Sequence, residues 1–159
     1  MHVVRVLLLA AGDAARDLAM LTKNRGTSCL YISAAHGHRR VVRVLLKAAG
    51  RELVMLTRNN GVSCLMISAQ NGHLEVVRAL LEAGGRELVM LTMDDGFSCL
   101  YISAQQGHLE VVNALLEAGG RELLMLTMDN GASCLYISAE NGHLEVVRTR
   151  CWRPGGASW

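Results

Sequence analysis

The chain has 159 residues, of which 51% are hydrophobic and 19% are charged, and its formal net charge at pH 7 is +2. A hydrophobic share this large excludes a disordered acidic or basic chain, and the length suits one ordinary domain. No run of Lys and Arg marks a surface that would follow phosphates, so nucleic acid is not favoured as a partner. No apolar stretch approaches the roughly 18 residues that a membrane span needs.

The N-terminal segment, residues 1–12, has one basic residue and a short apolar run, as a signal peptide does. Residues 3–8, however, recur letter for letter as residues 41–46 in the interior of the chain. The segment is therefore predicted to be a helix of a repeat and not a cleaved leader.

One long motif recurs along the chain at a fixed spacing. The string Gly-x-Ser-Cys-Leu-x-Ile-Ser-Ala-x-x-Gly-His begins at Gly26, Gly61, Gly96 and Gly131, so the period is 35 residues. A fixed period in this range predicts a stacked repeat architecture. Such stacks form one extended surface, which favours binding over catalysis as the function.

Each repeat begins with a turn signal. Asn60-Gly61 predicts a short projecting hairpin with a type I′ turn, and Asp95-Gly96 and Asn130-Gly131 predict the same. The first repeat departs from this pattern, because Arg25 precedes Gly26 there.

Two helices follow each turn. In the repeat that begins at residue 59, Ser63 is predicted to cap a helix over residues 64–70, which Gly72 ends. A second helix over residues 73–83 is predicted to end at the Gly84-Gly85 pair. The apolar residues of this second helix that fall at helical spacing are Leu74, Val77, Leu80 and Leu81. Residues 86–92 are too apolar for a free loop, and two alternatives stay open for them: a helical turn or an extended segment.

These residues resemble the ankyrin repeat. The resemblance rests on Gly61-Val-Ser-Cys-Leu-Met-Ile-Ser-Ala and on Gly72-His-Leu-Glu-Val-Val-Arg-Ala-Leu-Leu-Glu-Ala-Gly84, and it covers nearly the whole chain. Here Cys replaces the family's Pro, Tyr or Met replaces its first His, and the period exceeds the usual ~33 residues. The resemblance implies an all-α, ankyrin-type helix–turn–helix repeat solenoid with short projecting β-hairpin loops.

The repeat pattern also divides the chain. The predicted segments are a partial repeat over 1–23, full repeats over 24–58, 59–93 and 94–128, a truncated repeat over 129–148, and an irregular tail over 149–159. Neither end carries the polar cap that terminal repeats normally have. We therefore expect either a fragment of a longer array or an aberrant C-terminal sequence.

The recurring Cys and His residues are predicted to be structural. Equivalent helices in a stack lie on the order of 10 Å apart, whereas a disulfide needs Cα atoms within about 7 Å. One Cys per repeat without a C-x-x-C pair does not suit zinc. Free thiols favour an intracellular location, cytoplasmic or nuclear. The Gly-His pairs correspond to a structural pair in the family. We therefore predict no catalytic residue, no metal, no cofactor and no small-molecule substrate.

The positions that vary between repeats indicate where a partner would bind. They are the hairpin tips and the ends of the first helices, which the resemblance places on the fingers and concave face that bind protein partners. The tips change from basic near Arg25 to acidic near Asp94, and Phe97 is predicted to be an exposed anchor. The predicted protein-binding residues are Arg25, Arg58, Asn59, Asp94, Asp95, Phe97, Tyr101, Gln105, Gln106, Asp129 and Glu140.

The sequence thus predicts a non-catalytic protein-interaction module. The alternative is a structural spacer or targeting segment of a larger, multidomain protein, which could include an enzyme.

Overall fold

The structure, a computed structural model, describes residues 2–148 of the chain. The helices are α1 (His2–Ala11), α2 (Ala15–Met20), α3 (Cys29–Ala35), α4 (Arg39–Val54), α5 (Cys64–Gln70), α6 (Leu74–Val89), α7 (Cys99–Gln105), α8 (Leu109–Leu124), α9 (Cys134–Glu140) and α10 (Leu144–Arg148). Strands β1 (Thr22–Lys23) and β2 (Thr27–Ser28) pair antiparallel, and single 3₁₀ turns cover Gly12–Ala14 and Asn24–Gly26. The irregular tail predicted over 149–159 lies outside the described residues.

The helices form two parallel rows. The inner row consists of α3, α5, α7 and α9, and each of these helices packs against the next. The outer row runs from α2 through α4 and α6 to α8, and α10 stands at its C-terminal end. The prediction of an ankyrin-type helical solenoid is therefore confirmed. No helix within residues 2–148 is both long and apolar enough to cross a membrane.

The inner helices are bounded as predicted. The Ser63 hydroxyl accepts a hydrogen bond from the Met66 N–H at 3.2 Å, and the equivalent serine caps each of the other inner helices. At the other end, Gly72 has a φ of 70°. This left-handed conformation lets the His73 N–H donate to the Ser68 carbonyl at 2.9 Å, which closes the helix.

The outer helices break at a glycine. In α6, Gly85 has φ 62° and ψ −154°, so the helix stops there and one further helical turn follows. The predicted end of this helix at the Gly84-Gly85 pair is confirmed. Of the two alternatives for the segment that follows, the structure shows the helical turn, and Leu88 and Val89 in it are buried. Close packing explains why position 84 is a glycine. A Cβ on Gly84 would lie 2.8 Å from the Val54 Cγ1 of the preceding repeat and 2.6 Å from Leu88 Cδ2.

The hairpins are three-residue connections. Thr57 bridges to Ser63, and inside this bridge the Gly61 N–H donates to the Arg58 carbonyl at 2.9 Å. Gly61 itself has a φ of 80°. This is the geometry of a four-residue turn followed by a left-handed glycine, a common way to close a three-residue hairpin.

The predicted type I′ turn is therefore wrong. That turn needs positive φ at both central residues, and Asn60 does not have it. Among the described residues other than glycine, only Arg25 has positive φ, at 66°, and Gly26 follows it at 77°. The first hairpin, which lacks the Asn-Gly or Asp-Gly signal, therefore has two adjacent residues in the left-handed conformation, Arg25 and Gly26. The turn signals located the hairpins but did not give their type.

Candidate protein-binding groove

A groove runs between the hairpins and the inner helices in the middle of the stack, and it holds about 780 Å³ of space, open solvent included. We call it the middle groove. Its lining residues are Tyr31, Arg58, Val62, Ile67, Gln70, Met93, Phe97, Ile102 and Gln105. The 35-residue period explains this lining, because it brings equivalent positions of successive repeats into line. Val62 and Phe97 follow the hairpin glycines, and Gln70 and Gln105 end the inner helices.

Phe97 and Tyr101 form an aromatic pair in this groove. Their ring centroids are 5.1 Å apart and their planes are perpendicular, an edge-to-face geometry that stabilises aromatic pairs. Phe97 is half-buried and not fully exposed as predicted, because it packs on the core beside Tyr101. Tyr101 is only 7% exposed, so it supports Phe97 and offers little surface of its own. Desolvation raises the pKa of Tyr101, and the nearby Glu140 and Tyr136 raise it further.

Arg58 contributes a cation to the lining of the groove. The Arg58 guanidinium carbon lies 5.3 Å from the centroid of the Tyr31 ring, within the range of a cation–π interaction. The Arg58 Nε is buried and has no hydrogen-bond partner among the described residues. A desolvated donor of this kind gains more from an added acceptor than an exposed donor does.

The structure separates the predicted residues into three groups. Arg58, Phe97 and Gln105 line the middle groove, and Tyr101 lies beneath Phe97. The exposed residues at the hairpin tips are Arg25, Asn59, Asp94, Asp95 and Asp129. The exposed residues at the ends of inner helices, outside the groove lining, are Gln106 and Glu140.

Sequence reasoning missed part of the groove floor. Ile67, Ile102 and Tyr31 line the groove but were not predicted to do so. The isoleucine is the same in every repeat, so a comparison between repeats gave no signal for it. Tyr31 had a usable signal, because it occupies the same repeat position as Tyr101, two repeats earlier in the chain.

Histidines fix the rim of the groove. The His73 Nε2–H donates to the Ala35 carbonyl at 3.0 Å, and the His108 Nε2–H donates to the Gln70 carbonyl at 3.0 Å. The predicted structural role agrees with these contacts. The acceptor lies in the preceding repeat and not in the turn of the histidine itself. Each imidazole therefore ties the end of one inner helix to the next repeat.

The cysteines lack the features of a reactive site. Cys64 and Cys99 are free and buried, and each thiol donates to a backbone carbonyl at 3.4 Å. Burial raises the pKa of each of these thiols to about 12, so the thiolate is scarce at neutral pH. Within residues 2–148, no cluster of three or more His, Cys, Asp or Glu side chains is arranged to hold a metal ion.

Comparison with known proteins identifies the family. The sequence profile described as ankyrin repeats in three copies matches residues 1–90 and 85–149. The chain therefore belongs to the ankyrin repeat family. No curated protein sequence matches the chain significantly. Ankyrin repeats are generally protein–protein interaction modules, and they are typically non-catalytic.

Proposed function

We propose that this chain binds a protein partner through its hairpin loops and the middle groove, without catalysing a reaction. The proposal is carried by one observation: a groove that holds an edge-to-face aromatic pair and an arginine whose buried Nε has no hydrogen-bond partner among the described residues. A groove of this composition matches what partner anchors require, namely buried aromatic and arginine contacts surrounded by polar residues.

The lining suits an extended segment of a partner. Val62, Ile67 and Ile102 offer an apolar floor, on which burial of a partner side chain gains roughly 25 cal/mol per Å². Gln70 and Gln105 stand one repeat apart, and each amide can both donate to and accept from a peptide backbone. The groove therefore provides apolar contacts for side chains and paired polar contacts for the main chain.

The charges at the tips favour one direction of binding. Lys23 and Arg25 are exposed at the N-terminal end of the hairpin row, whereas Asp94, Asp95 and Asp129 are exposed towards the C-terminal end. A partner segment with an acidic end and a basic end would bind in one orientation. Exposed charges of this kind contribute more to orientation and association rate than to affinity.

The proposed location is intracellular, cytoplasmic or nuclear. Cys64 and Cys99 are free thiols in the core, and a reducing compartment keeps such thiols reduced. Nucleic acid and small-molecule substrates are not proposed as partners. The formal net charge is only +2, and the groove combines an apolar floor with charges of both signs at its ends.

The test is affinity capture from a lysate of the source cells. The groove variant carries Phe97→Ala, Asp94→Lys and Asp95→Lys together. The control carries Glu82→Lys and Glu110→Lys, which make the same change of charge on exposed positions of the outer helices α6 and α8. Circular dichroism checks that both variants keep the helix content of the wild type.

We expect a protein that the wild type and the control capture and the groove variant loses. If all three capture the same set, the groove and tips are not the binding surface. The alternative of a spacer or targeting segment would then account better for the chain.

A further inference from the structure

The lining of the middle groove changes from cationic to apolar between two adjacent repeats. Arg58 and Met93 occupy the same repeat position, 35 residues apart, and both line the groove. The Met93 N–H donates to the Phe97 carbonyl at 2.9 Å, so these two residues belong to one hairpin. The groove therefore offers a cation in one repeat and a methionine beside an aromatic ring in the next.

Arg58 has no anionic partner within residues 2–148. Its backbone is fixed in the hairpin, because its N–H donates to the Val62 carbonyl at 3.0 Å, and its guanidinium lies over the Tyr31 ring. Arginines of the outer helices, by contrast, pair with glutamates, as Arg51 does with Glu87. The Arg58 guanidinium has lost water at Nε without gaining an acceptor there. An anion brought to its other N–H groups therefore stabilises it more than it would stabilise a fully hydrated cation.

A carboxylate is the anion that fits this place. A guanidinium presents its N–H groups in a planar fork, and a carboxylate can accept from two of them at once. Among the described residues that line the groove, Arg58 is the one cation, so a single negative charge balances it. Phosphate groups carry nearly two charges and are recognised by clusters of arginines. Asp94 and Asp95, exposed at the tip beside Met93, disfavour a more highly charged group and a second acid on the apolar side.

The repeat spacing sets the distance between the cationic and the apolar contact. Arg58 and Met93 are equivalent residues of adjacent repeats, whose helices stack about 10 Å apart. In a polyproline II segment, side chains three residues apart face the same side and lie roughly 9 Å apart along the axis. In a β-strand, side chains on one face are about 7 Å or about 13 Å apart. The three-residue spacing of a polyproline II segment therefore fits the repeat spacing best.

From these contacts we infer that the middle groove binds an extended protein segment in which an acidic side chain lies three residues from a large apolar side chain. The carboxylate pairs with Arg58, and the apolar side chain packs against Met93 and Phe97. Gln70 and Gln105 bond the main chain of the segment, which has no internal hydrogen bonds in the polyproline II conformation. This inference rests on the proposed function and adds the chemistry of the segment that the groove recognises.

The test is selection of short random peptides displayed on phage, with the immobilised whole chain as bait. The wild type, Arg58→Glu and Phe97→Ala are used separately. The wild type is expected to select peptides with Asp or Glu three positions from a large apolar residue. Arg58→Glu should select Lys or Arg in place of the acid, because the charge at this contact is reversed. Phe97→Ala should lose the preference at the apolar position.

A double-mutant cycle separates the charge contact from effects on folding. One selected peptide, labelled with fluorescein, and its variant with the amide in place of the acid are titrated with each chain by fluorescence anisotropy. Arg58→Gln is expected to weaken binding of the acidic peptide by roughly tenfold to a hundredfold, and binding of the amide peptide only slightly. The matched control is Arg43→Gln, at an exposed position of α4, which should bind both peptides as the wild type does.

The outcomes distinguish this inference from the proposed function. Peptides that the wild type captures and Phe97→Ala loses, but that share no acidic position, would overturn the inference and leave the proposed function standing. So would an Arg58→Gln chain that keeps its helix content and weakens both peptides equally. If no peptide binds the wild type better than Phe97→Ala, the inference is overturned and the middle groove loses support as the binding surface as well.

Discussion

The middle and the ends of this stack are built from nearly the same sequence, yet they differ in packing. Leu100 and Leu135 occupy the same repeat position, and only Leu100 is buried, because α9 covers it on the C-terminal side. In a stack, each repeat is stabilised by its neighbours, so stability depends on position as well as on local sequence. Most of the middle groove is formed by the repeats of α5 and α7, which have inner-row neighbours on both sides. A groove held in this way is pre-formed, which lowers the ordering cost of binding.

The largest expected difference between middle and end concerns thiol reactivity. With a pKa of about 12 against an ordinary value of 9.0, the thiolate of Cys64 or Cys99 is about a thousandfold scarcer in the folded chain than in the unfolded chain. Cys29, near the N-terminal end, is only half-buried, although burial raises its pKa too. Mass-resolved alkylation at pH 8 should therefore modify Cys29 before Cys64 and Cys99. Equal rates at Cys29 and Cys64 would contradict the comparison.

Truncating equivalent leucines should have unequal effects on stability. Leu100→Ala leaves a cavity in a packed interior and is expected to lower the free energy of unfolding by about 2–5 kcal/mol. Leu135→Ala should cost less than about 1 kcal/mol, because nearly half of that side chain is already in water. Urea unfolding of both variants measures the difference. Similar losses would mean that the C-terminal end is as well covered as the middle.

Two glycines at equivalent repeat positions allow the cost of backbone strain to be distinguished from the cost of steric crowding. Gly72 and Gly142 have φ values of 70° and 71°, so alanine at either position costs about 1–2 kcal/mol of strain. At Gly72 the new Cβ would also meet a side chain, His108 Cε1 at 2.9 Å, whereas at Gly142 it would meet no atom of residues 2–148 within 4 Å. Thermal unfolding should therefore show Gly72→Ala as the more damaging change by about 1 kcal/mol or more. Equal losses of stability in the two variants would mean that the His108 side chain does not pack against Gly72.

The smallest expected effect is on the ion pairs between neighbouring outer helices. Arg86 pairs with Glu122 on the exposed surface, so Arg86→Ala should lower the free energy of unfolding by about 0.2–1 kcal/mol at low salt. The matched control is Arg121→Ala, because Arg121 has no ion pair among the described residues. This substitution should lower the free energy of unfolding by less than Arg86→Ala does. High salt should remove the difference. A difference that persists in high salt would point to packing by the arginine stem.

Local signals in the sequence predicted much of the fold. The serine caps, the helix over residues 64–70 and the break at Gly85 each depend on contacts within a few residues, so the sequence pattern was sufficient for them. The turn type was not predictable in this way. It depends on the number of residues between the bridged strands, which the Asn-Gly pair does not specify.

The candidate site was less predictable for a related reason. Comparing repeats finds positions that vary, and it found Phe97 and Gln105. It could not find Ile67 and Ile102, which do not vary, or show that Tyr101 is buried. Those properties depend on how one repeat covers the next, and the pattern of a single repeat does not contain that information.

The most direct test of the proposed groove is hydrogen–deuterium exchange of the whole chain, measured with and without a captured partner. Binding is expected to slow exchange in residues 58–70 and 93–105, which carry the hairpins and inner helices of the middle groove. Residues 74–84 and 109–119 of the outer helices should keep their exchange rates. Protection confined to the outer helices would contradict the proposed function, because it would place the partner on the opposite face of the stack.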